Sequence, residues 1–232
     1  MKTIVIQDQI FENYPDFYRG LIIVRNINNQ TPHDAIYQLM KKQIEERQTL
    51  DLAEEARLIS WNNAHKKFGS KPGKYLPSIK SLLKRVQKTA ELPYINSVVA
   101  LFNYISLKYC LPCGGDDIAN IKGDLVLGYA DGNEPFQALG SDKMENPKPG
   151  EVIYFDSETQ NVMCRRWNWR NGSHTKIEES SKQIVINLDC LPPITQKTGI
   201  EARDELAELL KAYCEADLEL GALHSGSREF QL

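Results

Sequence analysis

The sequence predicts a protein of mixed α and β structure, with helices in its first half and strands through most of its second half. Over residues 32–64, apolar side chains recur at three-to-four spacing, as on a helix face. Over residues 124–188, short apolar runs are separated by turn signals, as in a sheet. Such segregation along the chain is typical of the α+β class.

The N-terminal region begins with two short apolar runs at residues 3–6 and 21–24, which we interpret as strands. The helical region follows. Thr31 can cap its first helix and Pro32 suits the first turn, because proline lacks the backbone donor that this turn leaves unpaired. A second helix is expected over about residues 50–64, with acidic residues in its first turn.

Residues 61–90 carry eight cationic side chains and no aspartate or glutamate, in a chain of net charge −3. Such a segment can follow a phosphate backbone, and we select Lys71, Lys74, Lys84 and Arg85 as candidate RNA-binding residues. The alternative is a solvated helix face beside a glycine- and proline-containing loop. Charge composition alone leaves both open, because a partner is recognised by a clustered surface.

The central stretch, residues 103–124, joins an apolar helix expected over residues 95–107 to a strand expected over 124–130. Between them, the sequence Leu-Pro-Cys-Gly-Gly-Asp-Asp at residues 111–117 predicts a turn, because proline and glycine interrupt regular structure. Asp117 is a plausible helix N-cap or turn acceptor. A helix, a turn and a strand that meet in this way commonly form the rim of a pocket.

The five cysteines are an odd number scattered through the chain, which argues against a disulfide scaffold. Cys110 and Cys113 have the spacing of a redox motif, but they follow a helix where such a motif should precede one. No second pair completes a zinc site of matching spacing. We therefore interpret the thiols as structural and predict neither a metal nor a cofactor.

A segment rich in arginine and tryptophan occupies residues 161–171, between strands expected at 151–155 and 183–188. If the segment were a strand, Arg166, Asn168 and Arg170 would share one face, and Arg165 would lie on the other face with both tryptophans. Arginine beside aromatic rings suits carboxylates, other anions or nucleobases. The alternative is that the arginines only cover tryptophans packed on the sheet.

The bulk properties are those of an ordinary globular protein, with 41% apolar and 25% charged residues. No apolar run reaches the roughly 18 residues that a membrane span requires, and the N-terminus does not resemble a signal peptide. We expect one domain over residues 1–232, a cytoplasmic location and no membrane partner. An acidic amphipathic helix is expected over about residues 202–220, as a surface cover.

Short matches spread over residues 61–193 resemble the B3/B4 domain, the editing and tRNA-binding module of the phenylalanyl-tRNA synthetase β subunit, and more closely its free-standing relatives. The matching sequences are Lys-Phe-Gly at 67–69, Lys-Pro-Gly-Lys-Tyr at 71–75, Leu-Pro-Tyr-Ile-Asn at 92–96, Asn-Tyr at 103–104, Leu-Pro at 111–112, Asp117, Ile-Lys-Gly-Asp at 121–124, Pro-Gly-Glu at 149–151 and Arg-Arg-Trp-Asn-Trp-Arg at 165–170. The resemblance implies an α+β fold with a layered mixed sheet and flanking helices.

In that family the site removes tyrosine mistakenly attached to tRNA. Only some residues of that site have a counterpart in this sequence. Asn103 matches the family's asparagine. The family's histidine falls on Gly114, its glycine pair falls on Arg165 and Arg166, and its late glutamate falls near residue 187 or Asp189.

We therefore expect a protein that binds tRNA, another RNA or a small amino-acid-like or nucleotide ligand, and not a complete tRNA synthetase. One possibility is a stand-alone editing hydrolase, and the other is a non-catalytic binding module. For hydrolysis, the candidate catalytic residues are Asn103, Asp116, Asp117 and Asp189. The candidate ligand-binding residues are Arg19, Gly114, Gly115, Arg165, Arg166, Asn168 and Arg170.

Overall fold

The computed structural model describes residues 2–29 and 33–232, in which four consecutive helices follow the second strand and most of the remaining strands come after them. The candidate cap Thr31 and the neighbouring Pro32 lie outside the described residues. The helices are α1 (Asp8–Asn13), α2 (Asp34–Arg47), α3 (Ala56–Lys67), α4 (Ser78–Thr89), α5 (Ser97–Tyr109) and α6 (Gln196–Cys214). The strands are β1 (Thr3–Ile6), β2 (Tyr18–Asn26), β3 (Cys113–Asp117), β4 (Leu125–Tyr129), β5 (Phe136–Gln137), β6 (Met144–Glu145), β7 (Val152–Asp156), β8 (Val162–Arg165), β9 (Arg170–Asn171), β10 (Ile184–Cys190), β11 (Asp217–Leu223) and β12 (Glu229–Gln231).

Two sheets contain ten of these strands, and β5 and β6 pair with each other as a separate two-stranded sheet. A six-stranded sheet has the order β12-β1-β4-β7-β8-β9, and a four-stranded sheet has the order β11-β2-β10-β3. The first sheet is mixed, since β1 pairs in parallel with β4 and antiparallel with β12. The expected α+β fold with a layered mixed sheet and flanking helices is therefore confirmed.

The four-stranded sheet is apolar on both faces. In β10, Val185 belongs to a core cluster shared with β1, β4, β7 and helices α3 and α4. Its neighbours Ile184 and Ile186 belong to a second cluster shared with α2, α5 and α6. Because successive side chains of a strand point to opposite faces, one face of this sheet meets the six-stranded sheet and the other meets the helices.

Two segments differ from the sequence-based expectation. The stretch at residues 113–117, expected as a turn, is strand β3, which pairs antiparallel with β10. The acidic helix expected over residues 202–220 ends at Cys214, and strand β11 follows it. Glu215 terminates this helix in the left-handed region, at φ 51°, without the glycine that usually marks such an end.

Candidate functional site

A cavity of about 190 Å³ lies between the two sheets, near the N-terminal end of β2. Its lining comprises Arg19, Ser78, Phe102, Asn103, Pro112, Cys113, Gly114, Gly115, Asp116, Tyr154, Cys164, Trp167, Asn168, Asn171, Asn187 and Asp189. Residues far apart in the sequence therefore form one concave site.

Strand register explains which polar side chains meet in the cavity. Asp189 of β10 is directly opposite Arg19 of β2, and Asn187 is opposite Gly114 of β3. Residues 185, 187 and 189 alternate onto one face of β10, which is the face toward the six-stranded sheet. Each polar residue on this face interrupts an otherwise apolar strand.

A buried ion pair forms one wall of the cavity. Arg19 donates from Nε to Asp189 Oδ1 at 2.6 Å and from Nη2 to Asp189 Oδ2 at 3.0 Å. The indole Nε1 of Trp167 also donates to Asp189 Oδ2, at 3.0 Å. The guanidinium of Arg19 lies 5.1 Å from the centroid of the Tyr154 ring. Both oxygens of Asp189 are therefore engaged, and this aspartate holds Arg19 in place.

Four buried polar atoms of the lining have no hydrogen-bond partner among the described residues. They are Nη1 of Arg19, Oη of Tyr154, Nδ2 of Asn168 and Oδ1 of Asn187. Arg19 is 2% exposed, and Asn168 and Asn187 are each 9% exposed. Because most buried polar groups in proteins are hydrogen-bonded, four unpaired polar atoms at one cavity indicate a place for a polar ligand.

His65 fixes the amide of Asn168, and sequence reasoning did not select it. His65 Nε2 lies 3.2 Å from Asn168 Oδ1, which leaves Nδ2 of that amide unpaired. Burial lowers the pKa of His65 to about 4, so its ring is neutral at pH 7. The sequence gives no signal for this contact, since 103 residues separate the two side chains.

Asp116 supplies the second carboxyl group of the cavity. Its Oδ1 accepts a hydrogen bond from Thr175 Oγ1 at 2.6 Å. Burial raises the pKa of Asp116 to about 6, against the opposing influence of the Thr175 hydrogen bond and of the Arg19 charge. This carboxyl group therefore titrates closer to neutrality than an exposed aspartate does.

The glycines of β3 shape the cavity in two ways. A Cβ at Gly115 would come within 2.7 Å of the carbonyl oxygen of Val185, so this position requires glycine. A Cβ at Gly114 would meet nothing within 4 Å, so the space beside Asn187 is open. Asn103 of α5, half-buried, completes this side of the lining.

The expected strand over residues 161–171 is wrong, because the chain turns between β8 and β9. Arg166 and Trp167 lie in the left-handed region, at φ 48° and 65°, and the residues on either side of the turn pair with each other. The expected row of residues 166, 168 and 170 on one face of a strand therefore does not exist. Trp167 and Asn168 line the cavity, whereas the three arginines of the segment do not.

Arg165 and Arg166 form a separate cluster around Glu151. Arg165 donates to both carboxylate oxygens of Glu151, at 2.8 and 2.9 Å, and to Glu145 at 3.0 Å. Nη2 of Arg166 lies 3.2 Å from Oε2 of Glu151, and the guanidinium carbon of Arg166 lies 3.8 Å from the centroid of the Tyr75 ring. The side chain of Arg170 is exposed and lies 5.9 Å from the Trp169 ring. Contacts within the protein thus engage both buried arginines, and Nε of Arg166 has no hydrogen-bond partner among the described residues.

Asp117 also lies outside the cavity lining. Its carboxylate accepts a hydrogen bond from the backbone N–H of Ala119 and one from Ser181 Oγ. It caps the short 3₁₀ helix Ile118–Asn120, in agreement with the expected N-cap. Of the four candidate catalytic residues, the cavity therefore contains Asn103, Asp116 and Asp189.

The basic segment forms an exposed surface on α3, α4 and the loop between them. Lys71, Lys74, Lys84 and Arg85 are exposed, and within the described residues none of them forms an ion pair. Burial, with the charges of Lys84 and Lys66, lowers the pKa of Lys80, so cations of both helices act on one another. The surface joins the cavity at Ser78, where α4 begins.

Neither a metal site nor a membrane-spanning helix occurs among residues 2–29 and 33–232. No group of three or more histidine, cysteine, aspartate or glutamate residues there could hold a metal ion. None of the helices in that part of the chain combines the length and apolar character needed to cross a bilayer.

Comparison with protein families identifies the fold family. The B3/4 domain family model matches residues 60–215, which is more than half of the chain. The chain belongs to the B3/4 domain family. The match includes every cavity residue except Arg19, and it continues through α6, beyond the boundary at residue 193 expected from the sequence.

Comparison with solved structures gives the same fold. The chain is similar to an N-terminal fragment of the phenylalanyl-tRNA synthetase β subunit from Pyrococcus horikoshii, with a TM-score of 0.51 and 12% sequence identity. The alignment covers 93% of this B3/4 chain and 49% of that fragment, so the chain spans about half of its length. Among curated proteins there is no significant match.

Proposed function

We propose that this B3/4 protein binds the aminoacylated end of a tRNA, with the aminoacyl group in the cavity and RNA phosphates along the basic surface of α3 and α4. The observation that carries the proposal is the set of unpaired polar atoms in a cavity that opens beside the start of α4. A cytoplasmic location is part of the proposal, and the five free, buried cysteines agree with a reducing compartment.

The cavity volume favours an aminoacyl group over a nucleotide. Pockets for drug-sized ligands measure about 300–1,000 Å³, whereas this one measures about 190 Å³. A nucleotide would exceed it, and an aminoacyl group of moderate size would fill it. The nucleoside that carries the amino acid would then remain at the rim, near Ser78.

The position of the basic surface supports a contact with the RNA that follows the aminoacyl end. Lys84 and Arg85 lie six and seven residues beyond Ser78, which corresponds to about 9–10 Å along a helix. Lys71 and Lys74 lie in the loop on the other side of Ser78. Phosphates on both sides of the cavity entrance could therefore contact cations.

Ester hydrolysis is a second candidate function, favoured by the raised pKa of Asp116. A carboxylate that titrates near pH 6 can accept a proton from water as the water attacks the ester carbonyl, which releases the amino acid and the 3′-hydroxyl. Asn103 and the backbone N–H of Gly115, which points away from β10, would stabilise the carbonyl oxygen in this scheme. Asp189 has a different role, because Arg19 and Trp167 occupy both of its oxygens.

Binding to tRNA tests the main proposal. With about four phosphate contacts to single-stranded RNA, the logarithm of the affinity should fall with the logarithm of salt concentration at a slope near −3, from roughly 0.7 per contact. Changing Lys71, Lys74, Lys84 and Arg85 to alanine should remove most of that slope. The matched control changes Lys41, Lys42, Lys197 and Lys211, which are also exposed. Equal loss in both variants, or an affinity independent of salt, would contradict the proposal.

Deacylation of a panel of mischarged tRNAs separates the two candidate functions. Turnover by the natural protein, reduced at least about a hundredfold in Asp116→Asn, would support hydrolysis with Asp116 as the general base. Preferential binding of aminoacylated over deacylated tRNA without turnover would support the binding function alone.

A further inference from the structure

Two aromatic side chains lie side by side outside the cavity, next to its rim. The rings of Tyr75 and Trp169 have centroids 4.8 Å apart and meet edge-on, with 77° between their planes. Both side chains are half-buried, so part of each ring is open to solvent. We infer that this pair, the Tyr75–Trp169 platform, stacks on an unpaired RNA base, that of the nucleotide preceding the aminoacylated one. The platform rests on the proposed function and adds a base contact to it.

The platform adjoins the cavity through the backbone. Asn168, which lines the cavity, is the residue before Trp169. Its carbonyl oxygen accepts a hydrogen bond from the backbone N–H of Ser78, the residue at the cavity rim. Tyr75 precedes Ser78 by three residues, which is at most about 11 Å of chain. A nucleotide next to the one at the rim therefore has the platform within its reach.

A stacked guanidinium orients the ring of Tyr75. The guanidinium carbon of Arg166 lies 3.8 Å from the ring centroid, within the range of a cation–π contact. Arg166 in turn pairs with Glu151, which Arg165 also binds. Because Arg166 is buried, it covers one face of the ring, and the part of Tyr75 that is open to solvent lies away from it. The ring is thus oriented before a ligand arrives, which lowers the entropic cost of binding.

The charges around the platform favour a partner with a phosphate backbone. Nζ of Lys74 lies 5.2 Å from the centroid of the Tyr75 ring. The guanidinium carbon of Arg170, which is exposed, lies 5.9 Å from the centroid of the Trp169 ring. A hydrogen bond with Lys74 lowers the pKa of Tyr75, and the positive charge of Lys148 acts in the same direction. Phosphates on either side of a stacked base would therefore meet cations.

The combination of aromatic rings and exposed cations is the arrangement by which proteins bind single-stranded nucleic acid. Cations there follow the backbone, and rings stack on the bases. Such stacking tolerates different bases, because every base has a π-face. We therefore expect the platform to respond to the presence of a base and only weakly to its identity.

Analogues of the aminoacyl end with and without the second base test the platform. The aminoacyl analogues are 3′-aminoacylamino-3′-deoxyadenosines carrying alanine, serine or valine, in which an amide replaces the ester. The extended analogues add a cytidine, joined to the adenosine by a 3′→5′ phosphodiester, and the abasic analogues keep that ribose and phosphate without the cytosine. All three kinds carry the amino acid that binds most tightly.

Titration calorimetry gives the affinities. The natural protein should bind the extended analogue at least about fivefold more tightly than the abasic one, because only the extended analogue can stack. Exchange of the cytosine for uracil should change the affinity by less than about threefold, because stacking does not read the edge of a base.

Variants of the platform assign the contact. Trp169→Ala should bring the ratio of extended to abasic affinity to within about twofold, because a stacking surface is lost. Tyr37→Ala, which removes a ring that is 57% exposed on α2, is the matched control and should leave the ratio unchanged. Thermal unfolding checks that each variant folds. If Trp169→Ala does not fold, Tyr75→Leu, which keeps an apolar side chain at a half-buried position, should lower the ratio to the same extent.

The outcomes separate the platform from the proposed function. Equal affinity of the natural protein for extended and abasic analogues would overturn the platform and leave the proposed function intact. An equal loss of the ratio in Trp169→Ala and Tyr37→Ala would also overturn the platform. No binding of any analogue would overturn it together with the role of the cavity. A gain from the base combined with salt-independent tRNA affinity would support the platform and contradict the proposed phosphate contacts of α3 and α4.

Discussion

Two buried arginines, Arg19 and Arg165, pair with carboxylates in the same way but differ in whether their third guanidinium nitrogen has a partner. Arg19 and Arg165 each make two parallel hydrogen bonds to one buried carboxylate, Asp189 and Glu151 respectively. The third nitrogen of Arg165 donates to Glu145, so all three nitrogens of its guanidinium are engaged. The third nitrogen of Arg19 has no partner and lies at the cavity. The two pairs have the same hydrogen-bond geometry, and the unpaired Nη1 of Arg19 is the reason why ligand binding is proposed at the cavity and not at Glu151.

The largest expected effect comes from removing the carboxylate of each pair. Asp189→Ala leaves the charge of Arg19 buried and unpaired, so it should lower the free energy of unfolding by about 3–5 kcal/mol. Glu151→Ala should cost less, because Arg165 retains Glu145 and Arg166 retains its contact with Tyr75. Chemical denaturation of the two variants measures the difference. A larger loss in Glu151→Ala would mean that the Glu151 cluster stabilises the fold more than the Arg19–Asp189 pair does.

A medium effect of opposite sign is expected at Asp116. Because its pKa is raised from 3.8 to about 6, its ionisation destabilises the folded state, a cost absent below about pH 4 and complete above about pH 6. Asp116→Asn removes the charge and should raise the free energy of unfolding at pH 7 by roughly 2–3 kcal/mol, at 1.36 kcal/mol per pH unit.

Denaturation of Asp116→Asn and the natural protein should be compared across pH 3.5–7. The stability difference between the two should shrink as pH falls from 6 to 4. His65 responds in the other direction, since its pKa is lowered and acid protonates a buried ring, but it is present in both proteins and cancels in the difference. A difference that does not depend on pH would show that burial does not raise the pKa of Asp116.

The smallest expected effect separates the two arginine clusters by function. Arg166→Ala removes a stacked guanidinium outside the cavity, and should lower stability by about 1–2 kcal/mol. It should leave the affinity for the aminoacyl analogues unchanged. Binding of the analogues by titration calorimetry, beside thermal unfolding, provides the measurement. A loss of affinity without a loss of stability would assign Arg166 to ligand recognition.

The apolar pattern predicts much of the fold, and the exceptions share a physical cause. The expected strands at residues 3–6, 21–24, 124–130, 151–155 and 183–188 all overlap observed strands. The turn after β8 and the end of α6 could not be predicted, because residues other than glycine occupy the left-handed region there. Tertiary packing overrides the local signal at the turn after β8. There, the indole of Trp167 packs edge-on against that of Trp61, with ring centroids 5.2 Å apart.

The candidate site is predictable only where strand alternation is visible. In the sequence Ile-Val-Ile-Asn-Leu-Asp-Cys of β10, two polar residues spaced by two in an apolar run indicate a polar patch on one buried face. That pattern could have identified Asn187 without any family resemblance. The contribution of His65 and Thr175 depends on contacts between distant segments, for which the sequence offers no signal.

The hydrogen bond from the backbone N–H of Ser78 to the carbonyl oxygen of Asn168, at 2.9 Å, joins the first residue of α4 to the turn that lines the cavity. The helix that carries Lys84 and Arg85 is thereby attached to a residue with an unpaired donor at the cavity. A phosphate strand that shifts α4 would also shift Asn168. Thermodynamic reciprocity then requires that any factor by which bound RNA changes the affinity for the aminoacyl group equals the factor by which the aminoacyl group changes the affinity for RNA.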